Sequence, residues 1–393
     1  MYDFDKIVER RGTDCVKWDR QGSFGVQNGL LPFWIADTDF ASLPEILDAM
    51  KKRCEHPLFG YSDVSGGSKQ AACSWFFRRH KLNIDPSWIV PGPGVVTSLR
   101  FTIQALTESG DSVLLFTPVY DPFFAVIANS GRKVAECPMI RRDNRFFADF
   151  DLVEKKLKEG VRAVMLCNPH NPLAKCWTRG ELEKIASLCE KYGVYVLSDE
   201  VHCDITLFGN AYTSMASFGG IRDRLVCYTS IGKTFNMAGL VSSFMIIPGS
   251  ALRSRVEKAL GEAWIFGPAA IAFAAIEAAY THGDTWVDEL LRYLEGNVRY
   301  VSGFFAENMP DVGITKQEAT FLMWLDFNCL GMGSEELAGL MAGRYGLALA
   351  SGVHYGRQAD GFMRFNIGCP RSTLEKGTAL VHRLYTDRRN ENG

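Results

Sequence analysis

The sequence lacks several features that would assign it to a specialised class of protein. It contains 11 cysteines, but no C-x-x-C pair and no cluster of cysteine and histidine at the spacing of zinc ligands. No run reaches the roughly 18 uninterrupted apolar residues of a membrane-spanning helix. The formal net charge is -2, so no global positive field attracts nucleic acid. We therefore expect no metal site, no membrane partner and no nucleic-acid partner.

The start of the sequence and its cysteines predict the cellular location. The first five residues, MYDFD, are acidic and contain no apolar run, so we expect no secretory signal peptide. Many cysteines lie in apolar runs, as Cys167 and Cys227 do, which is typical of reduced thiols in a core. We predict a cytoplasmic protein. Its 393 residues are enough for two or three domains.

The middle of the chain alternates apolar runs with helical patterns. Residues 178–192 have the periodicity of a helix, with Thr178 and Glu181 at the spacing of a capping box and Gly193 as the C-terminal cap. Such an alternation predicts a mostly parallel sheet covered by helices, which binds ligands beyond the carboxyl ends of its strands. The predicted strands are 113–116, 161–167, 194–197, 225–228 and 244–247.

The last hundred residues have a different pattern. Helical and strand-like segments alternate there, at 286–308, 321–327, 334–344 and 362–367. This order predicts an α+β arrangement and a second, smaller domain. We place the large domain at 49–284 and build the small domain from 1–48 together with 285–393.

A lysine follows the run 225–228, within the segment SIGKTFN. Lys233 stands among small and hydroxyl-bearing residues just beyond a predicted strand. A partly desolvated lysine in that place can form a Schiff base with pyridoxal 5'-phosphate (PLP) and then act as the base for a substrate Cα proton. Because S-x-x-K is a short pattern, a surface lysine in a turn is the alternative interpretation.

Four other residues follow apolar runs or precede a helix. Asp199 can pair with a pyridinium nitrogen, and the Asn171 amide, within the turn NPHNP, can bind a phenolate oxygen. Gly94 precedes a helical pattern whose first N–H groups can bind phosphate. Tyr120 can stack on a pyridine ring. For each residue, an ordinary role in a turn, a helix cap or the core is the alternative.

Arg364 lies inside the strand-like run 362–367. A buried arginine needs an anion, and a substrate carboxylate held by two hydrogen bonds would provide one. A structural ion pair within the protein is the alternative interpretation.

The order and spacing of these motifs resemble those of the class I and II aminotransferases of PLP fold type I, over almost the whole chain. Within that family, the chain is most similar to the MalY/PatB-like cystathionine β-lyase (C–S lyase) branch. Most aminotransferases have Tyr in place of His202, and many have Arg in place of Val241. The segments that carry the resemblance are WIADTDF at 34–40, FGY at 59–61, CNPHNP at 167–172, SDEVHCD at 198–204 and KTFN with AGL at 233–240.

The resemblance implies the α/β fold of aspartate aminotransferase, with a large domain around a mostly parallel sheet and a smaller α+β domain. It implies PLP as cofactor, Lys233 as the Schiff-base lysine and Asp199 as the pyridinium partner. The remaining cofactor contacts that it implies are Asn171 at the ring O3' with His202 close by, Tyr120 stacked on the ring, Gly94, Val95, Val96 and Ser230 at the phosphate, and Tyr61 at the phosphate of the neighbouring subunit.

The implied activity is β-elimination from a sulfur-containing L-amino acid, which releases thiol, pyruvate and ammonia. Arg364 would hold the substrate carboxylate, and the site would lie at a homodimer interface. Lys233, Tyr61 and Tyr120 are the implied catalytic residues, and each is a candidate for protonating the leaving sulfur. Two alternatives remain: an aminotransferase that uses a keto acid acceptor, and a regulatory protein that binds a transcription factor on the same scaffold.

Three residues depart from the pattern of the branch. We expect Gly232, in place of Ser, to remove a hydrogen bond near the lysine. We expect Ala174, in place of Gly, to alter the turn after Asn171, and Thr38, in place of Met, to reshape the substrate pocket. No G-x-G-x-x-G follows an early strand, which argues against a nucleotide-binding Rossmann enzyme.

Overall fold

The chain folds around a seven-stranded sheet and a separate four-stranded sheet. The structure is a computed structural model that describes residues 2–25, 29–265 and 267–392. Its α-helices are α1 Val16–Asp19, α2 Pro44–Glu55, α3 Gly66–His80, α4 Val95–Leu106, α5 Pro122–Asn129, α6 Phe150–Lys158, α7 Arg179–Tyr192, α8 Ile231–Thr234, α9 Ser250–Glu262, α10 Ala270–His282, α11 Asp284–Asn308, α12 Ser334–Tyr345 and α13 Arg371–Asn392. Its strands are β1 Leu31–Pro32, β2 Ile89–Gly92, β3 Ser112–Thr117, β4 Lys133–Pro138, β5 Ile140–Arg142, β6 Arg145–Phe147, β7 Ala163–Cys167, β8 Tyr195–Asp199, β9 Leu225–Thr229, β10 Ser243–Ile246, β11 Gly313–Ile314, β12 Leu322–Asp326, β13 Leu347–Ala348, β14 Ala350–Ser351 and β15 Phe362–Asn366.

The seven-stranded sheet has the order β2-β10-β9-β8-β7-β3-β4. Strands β4, β3, β7, β8 and β9 run parallel to one another, and β10 runs antiparallel to both of its neighbours. The predicted mostly parallel sheet is therefore confirmed. Cys167 of β7 pairs with Asp199 of β8, which pairs with Tyr228 of β9, so these three strands end side by side. The segments that follow them share one edge of the sheet.

Alternate residues of the central strands pack into layers on opposite faces of the sheet. Leu114 and Val164 belong to one hydrophobic cluster, and Val113 and Met165 belong to the other. Because full burial of each such side chain contributes about 1.5–3 kcal/mol, both layers hold the sheet rigidly. None of the described helices is long and apolar enough to cross a membrane.

The predicted helix at 178–192 is confirmed together with its caps. Thr178 accepts from the N–H of Glu181 and the Glu181 carboxylate accepts from the N–H of Thr178, which forms the expected capping box. Gly193 ends α7 with φ 68°, a left-handed conformation that glycine adopts at little cost. This helix covers the sheet next to β8.

The C-terminal part of the chain forms the predicted α+β arrangement. Its antiparallel sheet has the order β11-β12-β15-β14, and helices α11, α12 and α13 accompany it. Strand β1 pairs in parallel with β13, which ties the N-terminal segment to this part. The domain boundaries near 49 and 284 stay predictions.

Candidate active site

Two connected cavities lie at the carboxyl ends of β7, β8 and β9. The inner cavity has a volume of about 270 Å³, and every residue predicted to contact the cofactor lines it except Tyr61. The outer cavity has a volume of about 520 Å³ and includes Arg364. Tyr120 and Lys233 line both cavities, so they stand where the two meet.

Lys233 enters the site from the short helix α8, which directly follows β9. Ser230 caps this helix by accepting a 3.0 Å hydrogen bond from the N–H of Gly232. The Lys233 Nζ donates a 2.5 Å hydrogen bond to the carbonyl oxygen of Ala36. Burial, together with the charge of Arg364, lowers the pKa of Lys233 to about 8. About a tenth of this amine is therefore neutral and nucleophilic at pH 7, far more than for an ordinary lysine.

A buried carboxylate fixes the far end of α8. The Thr234 hydroxyl donates to Asp204 Oδ2 at 2.8 Å, and Trp75 Nε1 and His80 Nε2 lie 3.0 and 2.7 Å from Asp204 Oδ1. Burial alone would raise the pKa of Asp204, but its hydrogen bonds and the charge of His80 hold that pKa below its ordinary value. This network positions the helix that carries Lys233.

Asp199 ends β8 and is almost completely buried. Its Oδ1 accepts a 3.1 Å hydrogen bond from the N–H of Val201, and burial raises its pKa to about 7. His202 lies on the same wall, where burial and the charges of Lys233 and Arg364 keep its pKa well below 6.5 and its ring neutral. The charge of Lys233 offsets this burial only in part, so a cationic ring nitrogen in the cavity would stabilise the Asp199 carboxylate.

The opposite end of the inner cavity can bind a phosphate. Gly94 precedes α4 with φ 92°, and an added Cβ there would lie 3.3 Å from Val241 Cγ1. No side chain caps α4, so the N–H groups of Val95 and Val96 remain for an anion.

Two serines stand at the same end. The Ser230 hydroxyl donates to the carbonyl of Ser242 at 2.7 Å. The buried Ser242 hydroxyl, which the sequence motifs do not predict, has no hydrogen-bond partner among the described residues.

Arg364 is a buried cation that forms an ion pair with none of the described carboxylates. Its Nη1 donates to Asn171 Oδ1 at 3.2 Å, its Nη2 donates to the Trp34 carbonyl at 2.6 Å, and its guanidinium lies 5.1 Å from the Tyr355 ring centroid. The buried Nε has no hydrogen-bond partner in the described part of the chain. Across those residues the guanidinium forms no ion pair, which favours a substrate carboxylate over a structural ion pair.

The outer cavity also has residues that the sequence analysis missed. Asp121, Ser351, His354 and Tyr355 line it together with Arg364. Asp121 is adjacent to Tyr120 in the sequence, which was the one available signal. The other three come from segments that carry no recognisable motif.

The three departures from the branch pattern have different outcomes. Ala174 adopts the left-handed conformation with φ 51°, which a Gly at this position would reach at little cost. An added Cβ at Gly232 would lie 3.1 Å from Ser230 Oγ, so little space remains there for a larger residue. Thr38 lines neither cavity, and its methyl group instead packs towards Gly368. The expectation that Thr38 shapes the pocket is therefore wrong.

Tyr61 lies outside both cavities. It is fully exposed, in the same loop as the exposed Leu58 and Phe59. Val241, at the rim of the inner cavity, is also exposed.

The residues of the inner cavity fit PLP. A lysine of lowered pKa, a buried carboxylate, an amide and an aromatic ring surround one space, and unpaired N–H and hydroxyl donors stand at its far end. The family described as aminotransferase class I and II matches residues 31–381. This chain belongs to that family.

Comparisons with individual proteins agree with this assignment. The chain is 40% identical to cystathionine beta-lyase PatB of Bacillus subtilis, over 96% of this chain and 98% of PatB. It is 36% identical to protein MalY of Escherichia coli, over 96% and 97% of the two chains. Cystalysin from Treponema denticola, whose crystal structure contains PLP, matches with a TM-score of 0.94 and 30% identity over 98% and 99% of the chains. The predicted family and the PLP fold type I are confirmed.

Proposed function

We propose that this protein is a PLP-dependent carbon–sulfur β-lyase that releases thiol, pyruvate and ammonia from a sulfur-containing L-amino acid. One observation carries the proposal. Lys233 lines both the inner cavity, which is suited to the cofactor, and the outer cavity, which is suited to a substrate, and Arg364 lines the outer cavity beside it. The near-full-length similarity to PatB, which is named a cystathionine beta-lyase, supports the reaction class. When bound, PLP supplies an electron sink for the substrate Cα.

The inner-cavity residues would hold PLP in one orientation. Lys233 would bind it covalently through Nζ, and Asp199 would pair with its ring nitrogen. Asn171 and His202 would contact the ring O3' side, and Tyr120 would stack on the ring. The phosphate would be held by Gly94, Val95, Val96 and Ser230, and by Tyr61 from a second subunit.

The residues at the outer cavity would then bind the substrate and move its protons. Arg364 would orient the α-carboxylate, and the neutral Lys233 Nζ would remove the Cα proton. Burial and the charges of Asp121 and Asp199 raise the pKa of Tyr120, so its hydroxyl keeps a proton that it can donate to a leaving sulfur. Lys233 and the second subunit's equivalent of Tyr61 are the other candidates for that step.

A keto-acid-free assay tests the reaction class. Purified holoenzyme is mixed with L-cystathionine, and pyruvate and free thiol are measured over many turnovers. Equal amounts of both products are expected. If the cofactor absorbance instead changes once, without pyruvate, and recovers when 2-oxoglutarate is added, the protein is an aminotransferase.

We also propose that the chain acts as a homodimer with Tyr61 reaching into the partner's site. The exposed Leu58, Phe59 and Tyr61 support a loop that is covered by another subunit. Mixing Lys233→Ala with Tyr61→Ala tests this. Random exchange should restore about a quarter of the wild-type activity, because one site in each mixed dimer keeps both residues. If the mixture stays as inactive as its components, Tyr61 does not act across subunits.

A cytoplasmic location is the last part of the proposal. All 11 cysteines are free thiols, eight of them buried, which is typical of a reducing compartment. Cell fractionation with an antibody against the chain tests it, and recovery in the secreted or membrane fraction would contradict it.

A further inference from the structure

The buried cation of the outer cavity needs partners of its own while no substrate is bound. Arg364 is 4% exposed, and its two terminal nitrogens donate to an amide oxygen and to a backbone carbonyl, both of which are neutral. Two neutral acceptors replace only part of the hydration that a guanidinium loses on burial. A third partner is therefore needed around this side chain.

The ring of Tyr355 is that third partner. The guanidinium of Arg364 lies over this ring, 5.1 Å from its centroid, which is within the distance at which an aromatic face attracts a cation. Tyr355 is 3% exposed, so water screens the attraction little. Burial raises the pKa of Tyr355, and the charge of Arg364 offsets this only in part, so the hydroxyl keeps its proton. The ring therefore acts through its electron-rich face and not as an anion.

The Tyr355 ring is itself fixed in the fold. Trp324 meets it edge to face, with ring centroids 5.4 Å apart and an interplanar angle of 80°. Trp324 belongs to β12, where it pairs with Arg364 on β15. The Tyr355 carbonyl accepts a 2.9 Å hydrogen bond from the N–H of Val119, in the loop that also carries Tyr120. The contact between ring and guanidinium is thus supported from both sides of the outer cavity.

We propose that Tyr355 is a positioning residue, whose ring holds the Arg364 guanidinium ready for the α-carboxylate of the substrate. Both side chains line the outer cavity. A long side chain that is already ordered loses little conformational entropy when its ligand binds, so the ring strengthens carboxylate binding without touching the carboxylate. The inference rests on the proposed function in one respect, the assignment of Arg364 to the substrate carboxylate.

Two amines that differ only by a carboxylate test the role of the ring. L-2-aminobutyrate and its decarboxylated counterpart propylamine both carry the amine that reacts with PLP, and neither has a sulfur leaving group. Titration of the cofactor absorbance of the holoenzyme gives Kd for each. Tyr355→Leu should raise Kd for L-2-aminobutyrate about fivefold, the cost of ordering one long side chain, and change Kd for propylamine by less than about twofold.

Further variants separate the ring from other effects. Tyr355→Phe keeps the ring without its hydroxyl, so both Kd values should stay within about twofold of the wild type. Tyr300→Leu is the matched control, because the Arg371 guanidinium lies 4.7 Å from the Tyr300 ring centroid, outside both cavities. It should change neither Kd. Tyr355→Met is a second variant without a ring, which gives the same comparison if Tyr355→Leu does not fold.

The outcomes distinguish this inference from the proposed function. If removal of the ring weakens the two amines equally or not at all, or if Tyr355→Phe is as impaired as Tyr355→Leu, the positioning role is wrong. If wild-type enzyme binds L-2-aminobutyrate no better than propylamine, the assignment of Arg364 to the carboxylate is wrong and the inference fails with it. The lyase function is judged by pyruvate release from L-cystathionine, and its failure would leave the two binding results intact.

Discussion

The Nζ of Lys233 lies 2.5 Å from the carbonyl oxygen of Ala36, a residue 197 positions earlier in the chain. Arg364 donates in the same way to the carbonyl of Trp34, so one N-terminal segment contacts both cations of the site. Asn236 binds the backbone of Thr38 through both ends of its amide and holds this segment in place. The cofactor must therefore compete with the Ala36 carbonyl for Lys233 Nζ. The substrate carboxylate must compete with the Trp34 carbonyl for the Arg364 guanidinium.

Replacement of Lys233 by Ala should remove the visible absorbance of the bound cofactor and lower turnover by at least about 10²–10⁴-fold, the contribution of a positioned acid–base group. Absorbance spectra and the pyruvate assay measure the two effects. Lys175→Arg is the matched control, because Lys175 is also buried but is paired with Glu181 outside both cavities. If the Lys233→Ala protein stays coloured and active, Lys233 is not the residue that binds the cofactor covalently.

The rate at which cofactor-free protein captures PLP should depend on pH. Because the pKa of Lys233 is about 8 instead of 10.5, the neutral amine becomes the main form as the pH rises through 8. Stopped-flow absorbance should therefore show a rate that increases with pH and has a midpoint near 8. A midpoint above about 10, the range of an ordinary exposed lysine, would mean that the amine is not desolvated.

Asp199 should make the cofactor-free protein less stable as the pH rises from about 4 to 7. Its pKa is raised from 3.8 to about 7, so within this window the folded state holds a proton that the unfolded state has lost. Stability falls wherever the folded state binds more protons. Urea denaturation at several pH values should show this decrease, and Asp199→Asn should remove that part of it. An identical pH dependence in wild type and variant would contradict the assignment.

Replacement of Arg364 by Ala should raise KM for any amino acid substrate by at least about 30-fold, because removing one partner of a buried charge pair costs about 2–5 kcal/mol. Arg371→Ala is the matched control, since Arg371 binds Asn297 and stacks near Tyr300, outside both cavities. Initial rates over a range of substrate concentrations give KM for both variants. Equal KM in wild type and Arg364→Ala would make Arg364 a structural residue.

The sequence predicts the parts of the site that follow regular strands. Asn171, Asp199 and Lys233 stand just beyond or at the ends of three neighbouring strands, and parallel strands bring their carboxyl ends to one edge. Their convergence therefore follows from periodicity and turn residues alone.

Other parts of the site have no such signal. The carbonyls of Trp34 and Ala36 act through backbone atoms, which any residue type possesses. Ser351 lies in β14 and His354 follows it, and both reach the outer cavity beside Arg364 because β14 pairs with β15, which depends on tertiary packing. A recognisable motif does not guarantee a place in the site either. Thr38 lies within such a motif but packs away from both cavities.

The spacing of the two cavities along the chain sets an order for their assembly on the ribosome. All residues that line the inner cavity have been synthesised once position 242 is reached, whereas the outer cavity also needs residues up to 364. Strand β1 also cannot pair until its partner β13, at residues 347–348, has been made. Because domains of a nascent chain fold largely from the N-terminal side, the cofactor chamber can form while the substrate chamber is still missing a wall. The substrate site is therefore completed only when the last quarter of the chain is made, after all residues of the cofactor site.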